Sequence, residues 1–288
     1  MRVRGCSTRA AGDVARAGKA LTEFSRELIS RSGYEREGFA SHYDRFRPRP
    51  PAVLFETLLQ LARTERPALV VDLGAGTGLS TRPWAPLAER VVGVEPNASM
   101  RDTAEGLTPE PNVEFVLGFS HETGLPDGCA DIVTASQSLH WMEPDLTFAE
   151  VGPILRPGGI FAAYDYDVYP VVDWEIERAL GEYGARRRAR RERLGIHPGA
   201  ERLSKDGHLG RMRDSGEFRF CRELVLHSVE EGDADRIVGL MGSIGMIGDP
   251  EEAERELRLD EVEAIARRVL GDRTVPFRFG YHVRVGVR

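Results

Sequence analysis

Nine residues, Val70-Val-Asp-Leu-Gly-Ala-Gly-Thr-Gly78, carry the densest chemical signal in the sequence. A short apolar run, the pattern of a buried parallel strand, leads directly into glycines at 74, 76 and 78, with Ala75 between the first two. Glycines there permit a tight turn and let a ligand approach the backbone with no Cβ in the way. In an open α/β sheet, ligands bind beyond the carboxyl ends of the strands, and this turn occupies that place. A dinucleotide-binding turn would carry a glycine at position 79, where Leu79 stands instead. A diphosphate wants bare amides and positive charge, whereas Asp72 enters this turn. A ligand with a cationic amino-acid moiety suits it better.

Further along, Val91-Val-Gly-Val-Glu-Pro-Asn97 places Glu95 and Pro96 at the end of a second strand. An acidic side chain about 20 residues after the first glycine can accept hydrogen bonds from both hydroxyls of a ribose. Nicotinamide enzymes use the same device, so Glu95 alone does not discriminate; by itself it reads equally as an exposed strand-end carboxylate, and the glycine turn beside it favours ribose binding. In Ser136-Gln-Ser-Leu-His-Trp141, His140 follows the end of a strand and is the best general-base candidate. The alternative is a structural histidine bonded to a backbone carbonyl. Gln137 suits ligand positioning. Trp141 reads equally as an acceptor platform or a core ring. Tyr164, Asp165, Tyr166 and Tyr169 could line a pocket or pack together. The run Arg186-Arg-Arg-Ala-Arg-Arg-Glu-Arg193 covers most of a helix surface and reads as a solvated face, with contact to an anionic acceptor or to RNA as the alternative. The remaining histidines show no ligand spacing, and no metal site is expected.

The elements that must position these residues alternate. Strand patterns occur at 68–73, 90–95, 113–117, 130–135 and 160–165, separated by helical stretches at 79–88, 99–106 and 146–155. Pro83 fits the 79–88 helix only in its first turn. Helical spacing also precedes the first strand, at 34–43 and 52–64, on either side of a proline-rich break. This alternation predicts a parallel sheet with helices on both faces. Beyond Asp165 the pattern changes: helices at 174–194 and 200–215, a strand at 218–228, helices at 234–241 and 250–270, and a closing strand at 275–287. The domain reading is an arm over 1–33, a ligand-binding core over 34–169, a helical cap over 170–215 and a C-terminal completion of the sheet over 216–288.

Composition narrows the classes. The 288 residues, 41% hydrophobic, suffice for one large α/β domain or a domain with a cap. A net charge of −7 argues against a nucleic-acid binder, which must neutralise phosphates. No apolar run approaches membrane-spanning length, and the start lacks the apolar core of a secretory signal. Three scattered cysteines form neither a disulfide framework nor a zinc pattern, so a cytoplasmic setting is expected. The basic residues are nearly all arginine, with lysine only at Lys19 and Lys205, which reads as codon bias. Oligomeric state is open between monomer and homodimer.

Four blocks, at 70–78, 92–97, 125–133 (Leu-Pro-Asp-Gly-Cys-Ala-Asp-Ile-Val) and 155–159 (Leu-Arg-Pro-Gly-Gly), occur in order at natural spacing. Together they resemble the class I S-adenosylmethionine (SAM)-dependent methyltransferases, and in particular their small-molecule branch, which includes trans-aconitate methyltransferase-like proteins. The resemblance covers roughly residues 38–165. It implies a Rossmann-like α/β fold with a mostly parallel seven-stranded sheet, helices on both faces and a helical cap. It implies SAM as cofactor and S-adenosylhomocysteine as product. Asp72 and Gly74 to Gly78 would hold the methionine moiety, Glu95 the ribose, and Met100 the adenine face. Phe119, Ser120 and His121 would flank the adenine edge. The family often carries an acidic residue at that slot. Here it is His121, with Glu122 adjacent. The Gln137–Trp141 segment resembles the branch's Gln-x-x-His-Trp signature beside the transferable methyl. Tyr43 and Arg47 would close over the cofactor, Arg47 facing its carboxylate. The implied activity is methyl transfer to a small molecule, with oxygen acceptors favoured, in a setting of specialised metabolism. The competing readings are a SAM-binding cyclase or lyase and a non-catalytic SAM-binding regulator.

Overall fold

The computed structural model describes residues 38–195, 203–244 and 249–288. The expected N-terminal arm lies outside the described residues. Seven strands form one sheet in the order β3-β2-β1-β4-β5-β7-β6. They are β1 (Leu69–Leu73), β2 (Arg90–Glu95), β3 (Val113–Leu117), β4 (Ala130–Ser136), β5 (Leu155–Tyr166), β6 (Phe220–Gly232) and β7 (Val275–Val287). The pairs among β1 to β5 are parallel, and β7 runs antiparallel to both β5 and β6. This is the Rossmann-like class I methyltransferase fold implied by the sequence blocks.

A parallel strand covered on both faces reads as a nearly continuous apolar run, and all of β1 is buried, with Asp72 its one polar residue. Successive side chains point to opposite faces. Val70, Ile132 and Ile160 therefore join one core, while Val71, Val133 and Phe161 join the other. The first core is roofed by α2 (Ala52–Ala62), α5 (Trp174–Arg193), α7 (Ala234–Gly242) and α9 (Leu259–Leu270). The second is covered by α4 (Pro144–Ile154) and α6 (His208–Asp214). The remaining described helices are α1 (Phe39–Phe46), α3 (Ala98–Gly106) and α8 (Pro250–Leu257). Local chemistry sets several starts: Asn97, Asp173, Asp233 and Asp249 each accept a backbone N–H as N-caps.

The structure corrects several element boundaries. The stretch 79–88 is not an α-helix; turns surround a single 3₁₀ segment, Arg82–Trp84. Two prolines three residues apart, Pro83 and Pro86, remove the donors that a helix there would need. β5 starts at Leu155 rather than at 160, running through the Arg156-Pro-Gly-Gly159 stretch. The helix expected over 250–270 is two helices that break at Arg258, which adopts φ 55. In the 200–215 stretch, a 3₁₀ segment Lys205–Gly207 precedes α6. The cap expectation also changes. Ile176, Ala179, Leu180 and Tyr183 of α5 pack into the first core, so α5 is part of a layer. Among the described residues, none of α5 lines the cavity described next.

Candidate active site

In the strand order 3-2-1-4-5, the order of the parallel strands reverses between β1 and β4, where an open sheet leaves a crevice at its carboxyl edge. A cavity opens there, enclosing about 1230 Å³ of space outside atoms with its mouth included. Its walls come from the turn after β1, the end of β2 and start of α3, the turns after β3 and β4, the end of β5, Tyr281 of β7, and α1 with the residues that follow it.

The turn after β1 depends on its glycines. Gly74, Gly76 and Gly78 have φ of 66, 59 and 83, a left-handed region that side chains disfavour. The amides of Gly74 and Ala75 both donate to the Val94 carbonyl, at 2.8 and 3.1 Å, tying the turn to β2. The three glycines then differ. A Cβ on Gly74 would lie 2.6 Å from the Ser138 Cβ, so this glycine lets the turn after β4 approach. A Cβ on Gly76 would meet only the Met100 methyl, at 3.6 Å, so its backbone faces the cavity. A Cβ on Gly78 would press on Phe115 at 3.0 Å and Ala104 at 3.4 Å. Gly78 does not line the cavity; it permits close packing of the turn on β3 and α3. That corrects its expected ligand contact.

Asp72 is corrected in the same way. The β1–β4 register sets it opposite Thr134, and it is fully enclosed. Oδ2 accepts the hydroxyls of Ser80 and Thr81, at 2.7 and 2.6 Å, and Oδ1 accepts that of Thr134 at 2.7 Å. Burial raises its pKa while the three hydroxyls pull it down. Asp72 does not line the cavity; it braces the turn from below.

Glu95 faces the cavity and is buried. Oε2 accepts the Gly76 amide and Oε1 the Asn97 amide, both at 2.8 Å. Burial pushes its carboxyl up to about 7 against those two bonds, with the Asp72 charge adding to the rise. Pro96, Met100, Phe119, Ser120 and His121 continue the wall. The rings of Phe119 and His121 stack with centroids 5.6 Å apart, and Ser120 is held by the Thr147 hydroxyl at 2.8 Å. Glu122 is not a lining residue, whereas Glu143 is.

Gln137 lines the cavity in a left-handed conformation, φ 51. Its amide nitrogen donates to the Tyr166 carbonyl at 3.1 Å. Tyr43 and Arg47 also line the cavity. The Arg47 guanidinium lies 4.7 Å from the Tyr43 ring centre. Its Nη1 donates to the Tyr166 hydroxyl at 2.7 Å and its Nη2 to the Ser243 carbonyl at 2.9 Å. α1 itself docks on α7: His42 meets the Gly239 carbonyl at 2.9 Å. A Cβ on Gly239 would collide with the Phe46 ring at 2.2 Å. Gly239→Val is therefore expected to lift α1, lower stability by about 1–3 kcal/mol and weaken ligand binding. Thermal unfolding beside ligand titration checks this, and an unchanged affinity would show that α1 does not shape the cavity.

His140 does not line the cavity. It is 1% exposed and its Nδ1 lies 3.6 Å from Asp165, with the His208 ring stacked beyond it at 6.4 Å. The 3₁₀ segment Leu139–Trp141 turns His140 inward and leaves Trp141 on the cavity side. The histidine belongs to a buried polar cluster, which corrects its candidacy as a base. Burial raises Asp165, but the neighbouring His140 and Lys205 outweigh it and hold the carboxyl below its usual range. His140→Ala should thus lower the melting temperature while ligand affinity stays within about threefold, a change under 1 kcal/mol. A larger affinity loss would return His140 to the site.

Tyr281, Met142 and Glu143 are wall residues that the sequence did not single out, and Tyr166 was read only loosely. Tyr281 arrives from β7, its hydroxyl donating to the Arg49 carbonyl at 3.0 Å. Tyr166 packs beside it, with ring centres 5.5 Å apart. Among the described residues, no group of His, Cys, Asp and Glu could hold a metal ion, and no helix is long and apolar enough to cross a membrane.

Comparison with known proteins adds an independent finding. Residues 71–163 match a family model described as a methyltransferase domain. A candidate SAM-dependent methyltransferase of Saccharomyces cerevisiae is 29% identical over 163 residues, covering 54% of this chain and 56% of its own length. An uncharacterised methyltransferase of Mycobacterium bovis is 39% identical over 121 residues, or 41% of this chain and 46% of its own length. The chain thus spans about half the length of the curated relatives it matches. Among solved structures, a candidate type II methyltransferase of Anaeromyxobacter dehalogenans superposes with a TM-score of 0.60 at 25% identity. That match covers 84% of this chain and 98% of the other.

Proposed function

We propose that this chain, which carries a class I SAM-dependent methyltransferase domain, transfers the methyl group of SAM to a small-molecule acceptor, with oxygen acceptors favoured. One observation carries the reading: a single cavity at the sheet's switch point gathers the glycine turn, Glu95 and the turn after β4.

The residues fit the cofactor. The bare Gly76 backbone faces the cavity. Each Glu95 oxygen accepts one amide and retains acceptor capacity for a hydroxyl, as a ribose diol requires. Met100 and the Phe119–His121 pair supply flat, partly apolar walls for a purine. Gly74, Ala75 and Gly76 hold the methionine end, closed off by Tyr43 and Arg47, and Gln137 positions it. SAM supplies a methyl group on a sulfonium, an excellent leaving group. The chain's task is alignment of the acceptor and exclusion of water. Trp141, Tyr166 and Tyr281 form the wall that does both. No general base is demanded of the protein when the acceptor is already ionised.

Calorimetric titration with SAM, S-adenosylhomocysteine and NAD tests the reading. Binding of the first two without the third is expected. Absence of both by a folded protein would overturn it. Production of S-adenosylhomocysteine during turnover separates methyl transfer from SAM-assisted cyclisation.

A further inference from the structure

Only two of the chain's 39 basic Lys and Arg residues are lysines, and one of them, Lys205, reaches Gln137, which lines the cavity. It sits in the 3₁₀ segment ahead of α6, far in sequence from every wall residue. The segment is tied to the turn after β4 by the Leu203 amide, which donates to the His140 carbonyl at 3.0 Å. From there Lys205 Nζ donates to the Gln137 side-chain oxygen and pairs with Asp165 Oδ1 at 3.0 Å. The other Asp165 oxygen takes Arg284 Nη1 at 2.9 Å, and Arg284 also pairs with Glu223 at 2.7 Å.

We propose that Lys205 is a positioning residue for Gln137, locking the amide that the cavity presents beside the glycine turn; this rests on the methyltransferase reading above. A side-chain amide can present either end to a ligand. Here the ammonium claims the oxygen and the Tyr166 carbonyl claims one N–H. A reversed amide would set oxygen against carbonyl and nitrogen against ammonium. One orientation remains, with the second N–H of Gln137 the donor still to be placed. Its left-handed backbone is held by its own amide, which donates to the Tyr164 carbonyl at 2.9 Å. The neighbouring Ser138 abuts Gly74, so the turn that carries Gln137 packs against the cofactor turn. Asp165 anchors the lysine rather than the ligand, because its two oxygens are taken by Lys205 and Arg284. An arginine would not replace this lysine. A compact tetrahedral ammonium serves two acceptors at an angle, whereas a planar guanidinium presents a longer, flat fork.

A double-mutant cycle on S-adenosylhomocysteine affinity tests the coupling. Lys205→Met and Gln137→Leu are each expected to weaken binding about five- to tenfold, the loss of one hydrogen bond. The double variant should bind no worse than Gln137→Leu alone. Lys205→Arg should behave like Lys205→Met, and it keeps a cation beside Asp165 should the methionine variant fold poorly. Losses that multiply in the double variant, or full affinity in Lys205→Arg, would overturn the proposal. A folded wild-type protein that binds no S-adenosylhomocysteine would instead remove the reading on which the proposal rests.

Discussion

Replacing Gly76 with valine should weaken S-adenosylhomocysteine binding by roughly a hundredfold or more, which is about 3 kcal/mol, while the protein still folds. Two effects combine. A β-branched residue at φ 59 is strained by about 1–3 kcal/mol, and relief of that strain moves the backbone that faces the ligand. The added side chain also enters the cavity itself, since nothing but the Met100 methyl lies within 4 Å of the new Cβ. Gly74 would make a poorer test. Its Cβ would collide with Ser138, so loss of binding there would be entangled with a displaced turn after β4. Thermal unfolding measured beside the titration separates the cases. An affinity unchanged in Gly76→Val would show that the turn does not hold the cofactor.

The sheet was legible because its physics is local. Buried parallel strands need runs of apolar residues, and such runs mark β1, β2 and β4 without reference to anything distant. The misread stretches all depend on context. Residues 79–88 have helical apolar spacing, yet Pro83 and Pro86 decide the outcome, and the turn survives through tertiary contacts such as Arg82 to Asp44 at 2.6 Å. The Arg156-Pro-Gly-Gly159 stretch contains the residues of a stop signal. Pairing with the chain's end, through Gly158 N to the Arg288 carbonyl at 3.1 Å and Arg288 N to the Gly159 carbonyl at 3.0 Å, draws it into β5 instead. The break at Arg258 has no glycine or proline to announce it.

The candidate site divides along the same line. Gly74, Gly76 and Glu95 could be found because a strand, a turn and a strand end place them by themselves. The direction of a side chain is less legible. Asp72 and His140 belong to the right segments, but strand register and a 3₁₀ turn aim them into the interior. Residues brought in by long-range pairing left weaker traces. Tyr281 reaches the cavity only because β7 inserts antiparallel beside β5, setting it opposite Tyr166. Lys205 did leave a signal, as one of two lysines among many arginines. Composition could register its rarity but not its place.

Glu95 should make ligand binding strongly dependent on pH, with the sign fixed by its position. In the ligand-free protein burial holds its carboxyl at about 7, against 4.5 for an ordinary glutamate. The folded chain therefore keeps a proton that the unfolded chain releases between those values. The contribution of Glu95 to stability is least unfavourable below pH 4.5 and worsens as pH rises to about 7. The total is about 3 kcal/mol at most, at 1.36 kcal/mol per unit. Ribose hydroxyls donating to the carboxylate favour its ionised form and reverse the balance, so binding expels the proton. Affinity for S-adenosylhomocysteine should climb by up to about tenfold per unit between pH 5 and 7 and level off above. Titrations at pH 6 in buffers of differing ionisation heat should register release of close to one proton. Glu95→Gln should flatten the profile and lower affinity at pH 8 by roughly 10- to 100-fold, the range for a hydrogen bond to a charged group. A wild-type profile that is level from pH 5 to 8, with no proton released, would mean that the ligand leaves this carboxyl untouched. The ribose would then have to be held elsewhere in the cavity.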